Sequence, residues 1–266
     1  FLQGVAHGVE LNADGKIHTV YSKNEKISAQ FVNSFEELKS TPRAIWLHCR
    51  DSSHLPQIPD NSVDYVITDP PYHDNIHYSE LSNFFFVWLK LFNLSPYFSE
   101  DHVPIENEAI VNAGMEKSEE DYQHLVTDVF KECRRVLKDS GQMIFTFHHK
   151  KQQAWWIILK AIVDSGFVVS DYFPVVSEYK VNPHVRNKQS LDMDLVIVCE
   201  KEITQNSTAF SSDVICAAVE GKLTSLKDIS PREIGYNMSL FRRIFPFISR
   251  GEPMPEDRLF MYIMGE

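Results

Sequence analysis

The chain has 266 residues, 43% of them hydrophobic, with 37 acids against 26 bases and a net charge of −11. That is enough apolar material for one large α/β domain with a smaller appendage. The acidity argues against a dedicated nucleic-acid-binding module, whose affinity comes largely from basic side chains on phosphates. Any such role needs a local basic surface or a further part of the protein.

No apolar run approaches the roughly 18–20 residues that a bilayer crossing requires. The densest, 84-FFFVWLKLF-92, is broken by Lys90, and no basic n-region with a cleavage site marks a secretory signal. Cys49, Cys133, Cys199 and Cys216 lie far apart with no CxxC pair. That spacing argues against a cysteine-rich zinc module and fits the reduced thiols of a cytoplasmic protein. The chain opens on Phe1 rather than methionine, which points to a piece of a longer protein.

Taken in order, 9-VELNADGKIHTVYS-22 predicts a β-hairpin turning at Asp14-Gly15. In 34-SFEELK-39, Ser34 and Glu37 have capping-box spacing and predict a short helix. The run 44-AIWLHC-49 predicts a buried strand, and a polar loop leads from it to a second one, 63-VDYVIT-68. Beyond 69-DPPY-72, Leu81, Phe84, Phe85, Trp88, Leu89 and Phe92 recur at helical spacing over 79–92 and predict a core-facing helix.

The stretch 118–141 has Ser118 as a cap, acids in its first turn, bases in its last and Gly141 as a stop. A strand over 142–148, a helix over 154–166 and strands over 167–177 and 193–200 follow. Strands alternating with helices imply a mainly parallel sheet. The last two strands have no helix between them and are expected to pair antiparallel. Residues 203–266 read as a helical appendage, with a stretch at 211–222 and a helix start at Ser230-Pro231-Arg232-Glu233. The expected division is 1–43, 44–202 and 203–266.

DPPY is the chemically informative segment. Ligands of open α/β sheets sit outside the carboxyl ends of strands, and prolines there stop the ladder and hold a rigid turn. Such a turn fixes the Asp69 carboxylate and the Pro70 carbonyl as two acceptors, with Pro71 keeping it stiff and the Tyr72 ring beside them. Two acceptors and a flat ring suit a planar base bearing an exocyclic NH2. The amine is a poor nucleophile because its lone pair is delocalised into the ring. Accepting both N–H hydrogens pulls the nitrogen towards tetrahedral geometry, and a tyrosine can stack on a base swung out of its helix.

In this context the sequence resembles the DPPY-type amino-methyltransferases, which methylate N6 of adenine or N4 of cytosine with S-adenosylmethionine. The run 66-VITDPPYHDNIHYSELSNFFFVWLK-90 and the segment 133-CRRVLKDSGQMIFTFHHK-150 are similar to prokaryotic adenine-specific DNA methylases. The resemblance covers about residues 44–200. It implies a Rossmann-like α/β methyltransferase sheet, S-adenosylmethionine as cofactor and DNA as partner, with the adenine flipped into the site. It also implies that Asp69, Pro70 and Tyr72 hold the target base. Asp51 matches the acid that binds the cofactor's adenine, with Ser52 beside it, although a capping or loop acid is the alternative reading.

The family's glycine-rich cofactor loop is not found. The chain has 10 glycines and no FxGxG-type cluster, and Gly4 and Gly8 in 1-FLQGVAHG-8 have no strand before them. Two readings stay open. The chain is a fragment or subunit whose cofactor loop lies on an upstream segment or partner, or it is a non-catalytic binding module. Further substrate contacts are expected from His73 and Lys150 near the same edge, and from Arg186 in the basic loop 180-KVNPHVRNK-188. The histidines show no HxxxH or HxH set with a partnering Cys or Glu, so no metal is expected.

Overall fold

The computed structural model describes residues 2–11, 17–92, 98–176 and 193–202, and the chain divides into two compact units. The first contains strand β1 (Leu2–Leu11), strand β2 (Ile17–Val32), helix α1 (Phe35–Ser40) and strand β3 (Ala44–Trp46). β1 and β2 pair antiparallel with Leu11 opposite Ile17, over a longer stretch than the alternation over 9–22 implied; the expected turn at Asp14-Gly15 lies outside the described residues. The Ser34 side chain accepts the Glu37 N–H at 3.2 Å, and the Glu37 carboxylate reaches back to the Asn33 N–H at 3.0 Å. Two otherwise unpaired donors at the start of α1 are thereby satisfied.

β3 is only three residues long and runs parallel to β2, pairing Gln30 with Ala44 and Val32 with Trp46. It had been expected as a buried strand over 44–49 beside strand 63–68. Its residues are half-buried, and its sheet is the amino-terminal one.

The second unit contains strand β4 (Val63–Thr68), helix α2 (Tyr78–Leu91), helix α3 (Glu119–Val136), strand β5 (Leu137–Phe147), helix α4 (Gln152–Asp164), strand β6 (Phe167–Val176) and strand β7 (Met193–Lys201). The sheet order is β4-β5-β7-β6. β4 is parallel to β5, and β7 lies antiparallel between β5 and β6. This is the α/β, Rossmann-like arrangement with the antiparallel last pair that the sequence implied. Among the described residues its sheet begins at β4.

α3 shows why its sequence is helical. Ser118 and Asp121 form a reciprocal capping box, Glu119, Glu120 and Asp121 fill the first turn, and Arg134 and Arg135 close the last. These charges complement the helix dipole. Tyr122, Val126, Phe130 and Cys133, at three- and four-residue spacing, form the buried face. The helix ends at Val136, before Gly141, and the chain enters β5 directly. Gly141 serves the strand instead, since a Cβ there would lie 2.8 Å from the Asp64 carbonyl oxygen on β4.

The core lies where α3 and α4 meet β5. Phe130 packs on Phe145 with ring centres 5.3 Å apart, and Phe147 on Trp155 at 4.9 Å. Phe130, Phe145, Phe147 and Trp155 are essentially solvent-free, and each such ring contributes roughly 1.5–3 kcal/mol by leaving water.

The other side of β5 corrects two expectations. β4 has no fully buried residue, with Tyr65 60% and Ile67 77% exposed. Among the described residues it pairs with β5 alone, so it is an edge strand where a central one was expected. In α2 the predicted core face is mostly in solvent: Leu81, Phe84, Phe85, Trp88 and Phe92 are all exposed, and Phe86 is the buried aromatic. The helical spacing was right, but among the described residues no second layer covers the face it creates. The predicted helical segments within 203–266, and the loop 180–188 with Arg186, lie outside the described residues.

Candidate functional site

The Asp69-Pro70-Pro71-Tyr72 turn leaves the carboxyl end of β4 and is tied down from three directions. The Tyr122 hydroxyl on α3 donates to the Pro71 carbonyl at 2.8 Å, the Asn75 N–H donates to the Tyr72 carbonyl at 3.0 Å, and the Val111 N–H donates to the His73 carbonyl at 2.9 Å. His73 adopts a left-handed backbone, φ 53°, which a non-glycine residue takes up rarely and which clusters at functional sites.

At the mouth of the turn, two hydroxyls converge on one oxygen. Tyr72 Oη and Thr146 Oγ1, on β5, each donate to Asp69 Oδ1 at 2.5 Å and lie 2.7 Å from one another. Among the described residues no hydrogen bond reaches Asp69 Oδ2 or the Pro70 carbonyl, so one carboxylate oxygen and one carbonyl remain as acceptors. The Tyr72 ring packs edge-on against Phe147 and His148, with ring centres 5.2 and 4.9 Å apart. Burial, and then the hydrogen bond to Asp69, push the Tyr72 phenol well above its ordinary range. It therefore stays a hydroxyl.

Asp69, Pro70, Tyr72, Asn75, Ile76, Tyr78, His148 and Asp194 line a cavity of roughly 330 Å³, at the low end of the range for small-molecule sites. A larger cavity of roughly 530 Å³ lies along the 102–117 loop and α3. Its Lys117 ammonium is committed to the Ile105, Glu106 and Glu108 carbonyls and its Asp121 to the helix cap. The smaller cavity is the one lined by the DPPY turn.

Behind the turn lies a network that sequence spacing did not reveal. Asp74 Oδ1 accepts from His73 Nδ1 and His149 Nε2 at 3.0 Å each, and Oδ2 accepts from the Lys151 ammonium at 2.6 Å. The Lys151 N–H donates to His149 Nδ1 at 3.0 Å, which fixes that ring as an Nε2–H donor to Asp74. The network joins the turn after β4 to the turn after β5.

Burial alone would raise the Asp74 carboxyl, but Lys151 and His73 outweigh it and hold it well below the usual carboxylate range. Burial, helped by His73, lowers His149 to about 4 against the pull of Asp74. His73, Asp74 and His149 lie close enough to hold a cation. However, Lys151 already supplies a positive charge on Asp74, and both rings are hydrogen-bonded to its Oδ1. His73 Nε2 has no hydrogen-bond partner, and Glu119 Oε1 stands 3.4 Å away at ion-pair distance.

The expected substrate contacts therefore separate. Asp69, Pro70 and Tyr72 come together in the cavity. His73 was expected at the substrate but is 1% exposed and turned into the Asp74 network. Lys150 is exposed in the turn after β5, where its neighbours Lys151 and His149 bind Asp74 instead. Asp51 was expected to close a strand, but β3 ends at Trp46 and Asp51 is an exposed loop residue of the first unit; Ser52 is exposed as well. Thr146, Asp194 and Tyr122 were missed. Thr146 follows Phe145, the register partner of Thr68, so strand pairing sets it beside Asp69.

With this geometry in place, the comparisons with known proteins assign the class. A family model described as DNA methylase, for N6 and N4 methyltransferases, matches residues 63–221, from the first residue of β4 onward. The match takes in more than half of the chain, and the chain belongs to that family. Asp51 and Ser52 fall outside the matched range. A search of curated proteins finds no match. Among solved structures, the crystal structure of an M1.HpyAVI–SAM complex matches at 13% identity and a TM-score of 0.28, covering 66% of this chain and 56% of that one. The chain thus spans little more than half the length of that protein. Among the described residues no helix is long and apolar enough to cross a membrane.

Proposed function

We propose that the protein transfers a methyl group from S-adenosylmethionine to the exocyclic amine of a DNA base, N6 of adenine, and that this chain supplies the base-holding half of the site. The observation that carries the reading is the pair of open acceptors at the end of β4, Asp69 Oδ2 and the Pro70 carbonyl, in a cavity beside an aromatic ring. An amine bound to both has its two hydrogens directed away from the incoming methyl group and its lone pair directed towards it. Asp69 holds one N–H, Pro70 the other, and Tyr72 limits where the flipped base can lie.

The residues for the cofactor are only partly here. No glycine cluster in the sequence lets the backbone approach the methionine end, and Asp51, expected at the adenine end, is a loop residue of the first unit. The open edge of β4 and the exposed apolar face of α2 are where a further sheet layer would seat, because exposed edges and apolar patches of this kind are normally covered. The cofactor loop in this reading comes from outside the 266 residues.

The test is nucleoside analysis of unmethylated DNA incubated with the complete protein and S-adenosylmethionine. The expected product is 6-methyladenine. Exclusive 4-methylcytosine would overturn the choice of base, and no methylated base at all would leave a binding module.

A further inference from the structure

An amine that takes a methyl group from a sulfonium becomes cationic and has to lose a proton. The groups that hold it are poorly suited to keep that proton. Asp69 meets the amine through Oδ2, but two hydroxyls on Oδ1 already draw on its carboxylate charge; the Pro70 carbonyl is barely basic, and the Tyr72 phenol is itself protonated.

His148 stands at the same cavity, its ring edge-on to Tyr72. Its Nδ1 is hydrogen-bonded to Asp194 Oδ1, which reaches it from β7 and lines the cavity too. A carboxylate on Nδ1 keeps that nitrogen as the N–H donor and leaves Nε2 as the basic position of the neutral ring. Among the described residues no hydrogen bond reaches Nε2. The neighbouring His149 is buried and committed to Asp74, so of the histidine pair His148 alone lines the cavity.

We propose, resting on the amino-methyltransferase reading above, that His148 is the catalytic base: Nε2 takes the proton from the target amine, and Asp194 orients the ring and steadies the imidazolium. The amine lone pair forms the N–CH3 bond. The S–CH3 bond breaks with its electron pair on sulfur, which passes from sulfonium to neutral thioether. One N–H bond breaks, its pair returns to nitrogen, and the proton adds to Nε2, from which water later removes it. A base held in place by a third group is a recurring arrangement in enzyme catalysis.

The experiment measures methyl transfer by the complete protein from labelled S-adenosylmethionine into unmethylated DNA, comparing wild type with His148→Ala and Asp194→Asn. In His148→Ala, kcat is expected to fall by about a hundredfold or more, with KM for DNA changed by less than about threefold. Added imidazole is expected to restore part of the rate in proportion to its concentration. Asp194→Asn, which removes the orienting charge, gives a smaller loss. A His148→Ala rate within about threefold of wild type would overturn the proposal and assign the proton to Asp69. A slow variant indifferent to imidazole would overturn it as well, making His148 a packing partner of Tyr72. Wild type that methylates no DNA would instead remove the methyltransferase reading itself, before any variant is compared, and the proposal with it.

Discussion

Asp69 divides its two oxygens between structure and chemistry. Oδ1 is held by Tyr72 and Thr146, which fixes the carboxylate in place, and Oδ2 is left for the ligand. Asp69→Ala is therefore expected to abolish methyl transfer while leaving the urea midpoint close to wild type, because the side chain sits at an exposed strand end. Retention of normal activity would sink the assignment. Tyr72→Ala is expected to weaken base capture by about 1–3 kcal/mol, the worth of a base–aromatic stack. Fluorescence titration with 2-aminopurine at the methylated position reads this directly. The place of Asp69, Pro70 and Tyr72 at a strand end was legible in the sequence, because prolines after an apolar run stop a ladder. Thr146 and Asp194 were not, because their place depends on pairing between strands far apart in the chain. The link from Val63 opposite Leu137 to Tyr65 opposite Gln142 skips several residues of β5, an irregularity that sequence periodicity does not carry.

At the scale of elements, the Asp74 network makes the site's support sensitive to acid. His149 titrates at about 4 in the folded protein, below the roughly 6.5 of a free imidazole. Between those values the unfolded chain binds a proton that the folded one refuses, so stability is fully present above about 6.5 and is lost as pH falls towards 4. Asp74 acts in the same direction at lower pH, since its carboxyl is depressed in the folded state. Urea midpoints are expected to drop from pH 7 to pH 4.5, with a shallower slope in His149→Gln. Equal slopes in the two proteins would show that His149 is not the group responsible. Sequence periodicity placed α3 closely, since caps, charges and apolar spacing all agree over Ser118–Val136. It read α2 as core for the same reason and misjudged it, because periodicity reports an apolar face without saying what covers it.

For the whole molecule, the open edge of β4, the exposed apolar face of α2 and the missing glycine loop have one economical explanation. Among the described residues β4 has one neighbour, with Tyr65 and Ile67 in solvent, which is where the proposed reading puts a further layer. With no glycine loop in the sequence, what remains for the cofactor is a few exposed hydrogen bonds. Each is worth on the order of 1 kcal/mol at an exposed position, far short of the roughly 8 kcal/mol of micromolar affinity. The 266-residue chain alone is therefore expected to bind S-adenosylmethionine weakly or not at all, and to be inactive alone. Binding is expected to appear when upstream sequence or a partner subunit is supplied. Isothermal titration of the two preparations separates the outcomes. Tight binding by the short chain would place the cofactor loop within these residues and make the exposed α2 face an interface of some other kind. No binding by the completed protein would leave Asp69 and its neighbours as a base-holding pocket without a methyl donor.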